Sequence, residues 1–240
     1  MKHIKLVLCM GLLLSLIVPS LKAQKDSMKN ELNETNDWPN LRRYRSENAQ
    51  LQPEKKRVVF MGNSITDGWI NVSPDFFKMN PSYLDRGISG QTTPQMLIRF
   101  RQDVIDLHPK VVIILAGIND IAGNTGPSTL DMIENNFASM SQLAKANGIK
   151  VILCSVLPAY DIPWKAGIEP VQKIIDLNKW IKDFAHRNNF FYLDYYSAMV
   201  DERKGLPAKY SKDGVHPTAS GYAVMGPLAV KAILQVLKEK

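Results

Sequence analysis

The chain has 240 residues, 45% of them apolar and 22% charged, with 30 basic against 23 acidic side chains. The resulting charge of +7 is scattered along the sequence, not gathered into a patch or stripe, and so leaves no nucleic-acid footprint. With two cysteines in the whole chain, a disulfide framework is excluded as the basis of the fold, which must rest on core packing.

The first residues read as an address. Lys2 and Lys5 flank the start of an apolar stretch, Ile4 to Val18, and Leu21-Lys22-Ala23 offers a small residue for cleavage before Gln24. That stretch is short for a membrane span and is soon broken by Pro19 and a polar tail. Residues 1–23 are therefore expected to be a signal peptide, which places the mature protein in the periplasm or outside the cell without stable membrane insertion. Cys9 lacks the small residues that precede a lipid-modified cysteine. Removing residues 1–23 takes away Lys2, Lys5 and Lys22 and no acid, leaving 27 basic and 23 acidic residues, with Cys154 as the sole cysteine.

Residues 24–50 are expected to be an N-terminal lead-in, polar at first, with a short helix from Trp38 to Gln50 closing one end of the domain that follows over 51–240. From there the sequence alternates between two patterns. Val58–Met61, Val111–Ala116, Val151–Val156 and Phe190–Leu193 are short apolar runs without polar alternation, several of them β-branched, and Tyr83–Ile88 is a weaker one. That pattern belongs to parallel strands buried on both faces. Between and after them, residues 92–107, 128–147, 171–187 and 217–238 carry apolar residues at helical spacing, and Gly148 stands in a helix-stop position. Alternating strands and helices define βαβ units, so the expected fold is α/β: a three-layer α/β/α sandwich on a mostly five-stranded parallel sheet, flavodoxin-like. There is no internal repeat or low-complexity tract.

In such sheets the chemistry gathers outside the carboxyl ends of the strands. Those ends read Gly62-Asn63-Ser64, Gly87-Ile88-Ser89-Gly90, Gly117-Ile118-Asn119-Asp120 and Leu157-Pro158, and Asp213-Gly214-Val215-His216-Pro217 arrives just ahead of the last helix. The mature chain holds three histidines. His108 and His186 fall at helix ends, where a cation is favoured by the dipole. His216 lies three residues after Asp213, a spacing at which one tight turn can bring the carboxylate to Nδ1 and leave Nε2 outward. Ser64 reads equally as a helix N-cap or as a nucleophile, and Asp213 as an N-cap or as the group that orients His216. A backbone N–H at Gly90 and the amide of Asn119 would converge with the N–H of Ser64 on one sheet edge, which is what an oxyanion requires.

Taken in order, "GNSITDGW", "RGISG", "GIND" and "DGVHP" resemble the four blocks of the SGNH hydrolases, the GDSL esterases and lipases, over nearly the whole mature chain. The resemblance implies Ser64 as nucleophile, His216 as general base, Asp213 as orienting acid, and Ser64, Gly90 and Asn119 as oxyanion hole, with no cofactor and no metal. Asn63 departs from the Asp of the family's name motif, and "GNSIT" is similar to exported carbohydrate O-acetyl esterases and short-chain acylhydrolases. No G-x-S-x-G, phosphate-cradling glycine loop or metal-spaced histidine pair is present. A nucleotide-binding module rests on fold alone, which does not carry function, and a non-catalytic glycan-binding protein would not need all four blocks. Trp69, Tyr160 and Trp164, with Asn63, are candidate substrate contacts; the aromatics either stack on sugar faces or cap the core edge. Nothing marks a long apolar acyl channel, which favours a small acyl group. The alcohol partner stays open among a sugar hydroxyl, a lysophospholipid and a xenobiotic ester.

Overall fold

Five of the chain's apolar runs become strands, and their register decides where the chemistry can sit. The computed structural model describes residues 37–238; the expected signal peptide and the first part of the lead-in lie outside them. In chain order the described elements are α1 (Arg45–Gln50), β1 (Val58–Gly62), α2 (Ser64–Asp67), α3 (Trp69–Val72), α4 (Asp75–Lys78), β2 (Tyr83–Gly87), α5 (Thr93–Asp103), a 3₁₀ turn (Ile105–Leu107), β3 (Val111–Leu115), α6 (Ile118–Ile121), α7 (Leu130–Ala146), β4 (Lys150–Cys154), α8 (Pro170–Asn188), β5 (Phe191–Leu193), α9 (Tyr196–Met199) and α10 (Ala219–Lys238). The strands pair in the order β2-β1-β3-β4-β5, all parallel. Every residue of β1 and β3 is buried, as unalternated apolar strands covered on both faces must be.

The chain leaves β1 toward β2 on one side and then returns past β1 to build β3, β4 and β5 on the other. Right-handed crossovers in opposite directions put their helices on opposite faces. α5, α7 and α8 pack together on one face, while α10 packs on β3, β4 and β5 on the other. The point where the direction reverses is β1, so the strand that ends at Gly62, two residues before Ser64, borders the crevice in which such sheets bind ligands. Gly62 of β1 is level with Gly87 of β2 and with Leu115 of β3, which brings three strand exits side by side.

Local chemistry sets the helix ends. Thr92 and Gln95 form a capping box at the start of α5, with Pro94 in its first turn. The hydroxyl of Thr129 accepts the N–H of Met132 at the start of α7. α10 is apolar enough by length and composition to cross a membrane, yet Tyr222, Met225, Ala229, Ile233 and Val236 are buried in the core, which makes it a packing helix of the sandwich.

Residues 38–50, expected to precede the domain, belong to it: the compact unit begins at Trp38. The Tyr44 hydroxyl donates to the main-chain oxygen of Gly87, the Asn48 amide donates to Asp103 at 2.8 Å, and the Gln95 amide donates to the oxygen of Trp38 at 2.6 Å. Helix forms only from Arg45, because Asn40 takes a left-handed φ of 55° and the residues after it run as turns.

Candidate active site

The site starts from two glycines. A Cβ at Gly62 would stand 2.0 Å from the Thr66 hydroxyl oxygen, and one at Gly87 would stand 2.1 Å from the Asp67 nitrogen. Only hydrogen at these positions lets the single turn of α2 fold back over the ends of β1 and β2. Asn63 caps that turn: its Oδ1 accepts the N–H of Ile65 at 3.0 Å, and its main-chain oxygen accepts from Thr66 and Asp67. Ser64 is the first residue of the turn and stays half-buried at its tip.

His216 reaches Ser64 from 152 residues away, its Nε2 lying 2.9 Å from the serine Oγ. Its Nδ1 lies 2.7 Å from Oδ2 of Asp213. The other carboxylate oxygen accepts the N–H groups of His216 at 2.8 Å and Val215 at 2.9 Å and the Ser211 hydroxyl at 3.0 Å. Partial burial works to raise the Asp213 pKa, but the hydrogen bonds from the His216 and Val215 N–H groups and from the His216 ring outweigh it and hold the carboxyl well below the usual range. An ionised carboxylate only accepts, so in the neutral imidazole Nδ1 carries the proton and the lone pair of Nε2 faces the Ser64 hydroxyl. This hydrogen-bonded row can draw a proton from Ser64.

Beside it, the exits of the first three strands are stitched together. The Asp67 carboxylate accepts the N–H of Ser89 at 3.1 Å and its hydroxyl at 2.5 Å. Gly90 is exposed with φ at 78°. Asn119 is 2% exposed and donates from Nδ2 to the oxygen of Gln91 at 2.9 Å, which commits one of its two amide hydrogens. Asp120 accepts the N–H of Thr93 at 2.9 Å and its hydroxyl at 2.6 Å. Burial pushes the Asp120 carboxyl up to about 6 against those bonds.

Of the four candidate substrate contacts, Trp164 lies by the histidine. Its ring is 5.7 Å from the His216 ring, tilted by 36°, and its Nε1 donates to Oδ1 of Asn124 at 3.1 Å. Tyr160 is exposed, with the Arg203 guanidinium over its ring. The other two expectations are corrected. Trp69 is 1% exposed and stacks between Phe76 and Tyr222, at 4.6 and 5.0 Å, because α3 turns it under the sheet edge instead of toward the cleft. Asn63 is likewise buried, since capping α2 turns its side chain inward.

Three neighbours escaped the sequence reading. Ser211 supports Asp213. Asn124 donates to the oxygen of Gly90 at 3.2 Å. Arg99, fully buried, donates to the oxygens of Gly62 at 3.0 Å and Arg86 at 2.8 Å and to the Gln91 side chain at 2.6 Å. None sits at a spacing that marks it; only a polar residue at a helical core position, as Arg99 is in α5, could have drawn notice. An apolar groove of about 870 Å³ between α4 and α10, lined by Phe76, Met79, Tyr222 and Leu234 among others, includes none of the polar residues around Ser64.

This fold and these blocks have known relatives. The chain belongs to the GDSL-like lipase/acylhydrolase family, whose sequence profile matches residues 60–224. Family and fold together define the class, the SGNH-type carboxylic ester hydrolases. The chain is similar to a GDSL-like lipase from Bacteroides thetaiotaomicron of known crystal structure, at 53% identity and a TM-score of 0.80, over 82% of this chain and 98% of that one. It is also 28% identical to the uncharacterized lipoprotein YqeF of Bacillus subtilis over 169 residues, and that match spans 60% of the relative's length. A third relative is an acetylxylan esterase of Geobacillus stearothermophilus, 27% identical over 161 residues, covering 62% of this chain and 71% of the relative.

Proposed function

We propose that the protein is an exported serine esterase that removes short acyl groups, acetyl above all, from hydroxyls of carbohydrates. Ser64 is the nucleophile, His216 the base, Asp213 the group that orients and stabilises the imidazolium, and the N–H groups of Ser64, Gly90 and the Asn119 side chain receive the oxyanion. The single observation that carries the reading is the 2.9 Å approach of His216 Nε2 to Ser64 Oγ, continued at 2.7 Å to Asp213.

The steps follow from that row. His216 takes the hydroxyl proton as Ser64 Oγ adds to the ester carbonyl carbon, and the carbonyl oxygen gains the negative charge. The imidazolium then gives its proton to the departing alkoxide as the C–O bond breaks, leaving an acyl-serine. Water repeats the sequence: His216 takes its proton, the hydroxide adds, and Ser64 leaves as the alcohol. Asp213 stays ionised throughout, as the hydrogen bonds that hold its pKa down favour.

Acetyl is favoured by the acetylxylan esterase relative and by the absence of the Ser64 surroundings from the large apolar groove. A sugar alcohol is favoured by the half-exposed Trp164 face beside His216, since flat aromatic faces suit the C–H faces of pyranose rings. Export is favoured by residues 1–23. The test is acetate release from a panel of acetylated xylo- and manno-oligosaccharides, run beside p-nitrophenyl esters of rising chain length and a lysophospholipid. Acetate release from the glycans and a steep fall beyond short acyl chains are expected; preferred cleavage of the lysophospholipid would contradict the carbohydrate reading.

A further inference from the structure

Three hydrogen bonds meet at Asn124, an exposed residue in the loop after α6. Its Nδ2 donates to the oxygen of Gly90 at 3.2 Å, and its Oδ1 accepts from Trp164 Nε1 at 3.1 Å. Its own main-chain N–H donates to the oxygen of Asn119 at 3.0 Å. The two ends of the side-chain amide face partners of opposite kind, a carbonyl and an indole N–H, which fixes the orientation of the group. One residue thus touches both loops that carry proposed oxyanion donors, Gly90 through its side chain and Asn119 through its main chain, and its side chain also touches the aromatic residue whose ring lies 5.7 Å from that of His216.

Gly90 is a residue that needs such a hold. At φ 78° a Cβ there would meet nothing within 4 Å, so packing does not restrain its peptide, and a glycine left to itself samples a wide range of conformations. Its neighbours are fastened on either side: Ser89 to Asp67, and Gln91 to Asn119 and Arg99. The carbonyl of Gly90 itself is fastened by Asn124.

We propose that Asn124 is a positioning residue that couples the seat of the substrate's alcohol at Trp164 to the oxyanion donor at Gly90; the inference rests on the esterase reading of Ser64. An alcohol lying on the Trp164 face holds the indole N–H on Asn124 Oδ1, and the same planar amide then holds Gly90 through Nδ2. The benefit falls on the transition state, because the oxyanion exists only there. Losing the hold lowers kcat and leaves KM nearly as it was.

The test measures kcat, KM and Tm with p-nitrophenyl acetate for the wild type, Asn124→Ala, Asn124→Asp, Trp164→Phe, and the Asn124→Ala/Trp164→Phe double variant. Both Asn124 variants are expected to lower kcat roughly three- to tenfold, the scale of one lost hydrogen bond, with KM and Tm little changed. The aspartate does no better than alanine because a carboxylate cannot donate to the Gly90 oxygen. Trp164→Phe keeps an aromatic face, though a smaller one, and loses the N–H, and the double variant is expected to be no slower than the slower single one, the sign of coupled sites. Wild-type kcat in Asn124→Ala, or single effects that multiply in the double variant, would overturn the coupling. A parallel Ser64→Ala sample separates the two failures: if it is inactive, such a result removes the role of Asn124 alone, and if it remains active the esterase reading itself falls.

Discussion

The side chain of Asn119 donates to the main-chain oxygen of Gln91 at 2.9 Å, so the exit of β3 is fastened to the exit of β2 through one amide. That bond uses one hydrogen on Nδ2 and leaves a second for substrate. A residue placed in this way is both a structural tie and a candidate oxyanion donor, and its substitution should show both roles.

Asn119→Ala is expected to lower kcat by roughly 10²–10³, the range of a lost oxyanion donor, and also to lower stability by about 1 kcal/mol through the lost tie to Gln91. Asn119→Asp should be no better, since its charge repels the developing oxyanion. Melting temperature and kcat measured on the same preparations separate the effects. A destabilised variant with wild-type kcat would leave Asn119 only the structural tie.

Trp69 answers the opposite question. Stacked between Phe76 and Tyr222 and 1% exposed, it should act through packing: Trp69→Ala is expected to cost about 3–5 kcal/mol while KM in the folded fraction stays put. A variant of unchanged Tm and raised KM would return Trp69 to the substrate side.

Asp85 gives a pH signature. Burial pushes its carboxyl up to about 7 in spite of the bond from the Gly87 N–H. The folded chain therefore holds this proton more tightly than the unfolded one, and the contribution to stability falls as pH rises from the ordinary carboxyl range to about 7. Asp85→Asn removes that loss. Denaturant unfolding should find the variant gaining on the wild type from pH 4 to pH 8, on the order of a few kcal/mol; a difference that does not change with pH would contradict the burial argument.

The two glycines under Ser64 make the fold itself testable. Gly87→Ala should displace α2, because its Cβ would stand 2.1 Å from the Asp67 nitrogen, and so move Ser64 away from His216. Reduced Tm together with loss of esterase activity is expected. A fully active, stable variant would show that α2 can shift without cost.

The sandwich was legible because a parallel strand buried on both faces leaves an unbroken apolar run, as in Val58–Gly62 and Val111–Leu115, and because polar residues at strand exits stand out against such runs. The pairing of His216 with Ser64 was implied by the resemblance of the four blocks to the SGNH hydrolases, while the residues alone gave the approach of Asp213 to His216 through the three-residue spacing in "DGVHP". Trp69 was misread since the run of single turns α2, α3 and α4 is too short for any periodicity, so the direction of its side chain had no signal. Asn124 and Ser211 act through loop closures that depend on tertiary contacts, and the packing of residues 38–50 depends on hydrogen bonds to partners some 40 to 60 residues away.

The most direct measurement of the central claim is the rate of p-nitrophenyl acetate hydrolysis by Ser64→Ala, on protein shown by its Tm to be folded. Ser64 stands half-buried at the tip of a turn with His216 as its polar neighbour, so the substitution should leave the fold intact. The rate is expected to fall by as much as roughly 10⁶, as for loss of the nucleophile in a serine hydrolase. A folded Ser64→Ala protein that keeps about a tenth of the wild-type rate would contradict the assignment of Ser64 as nucleophile.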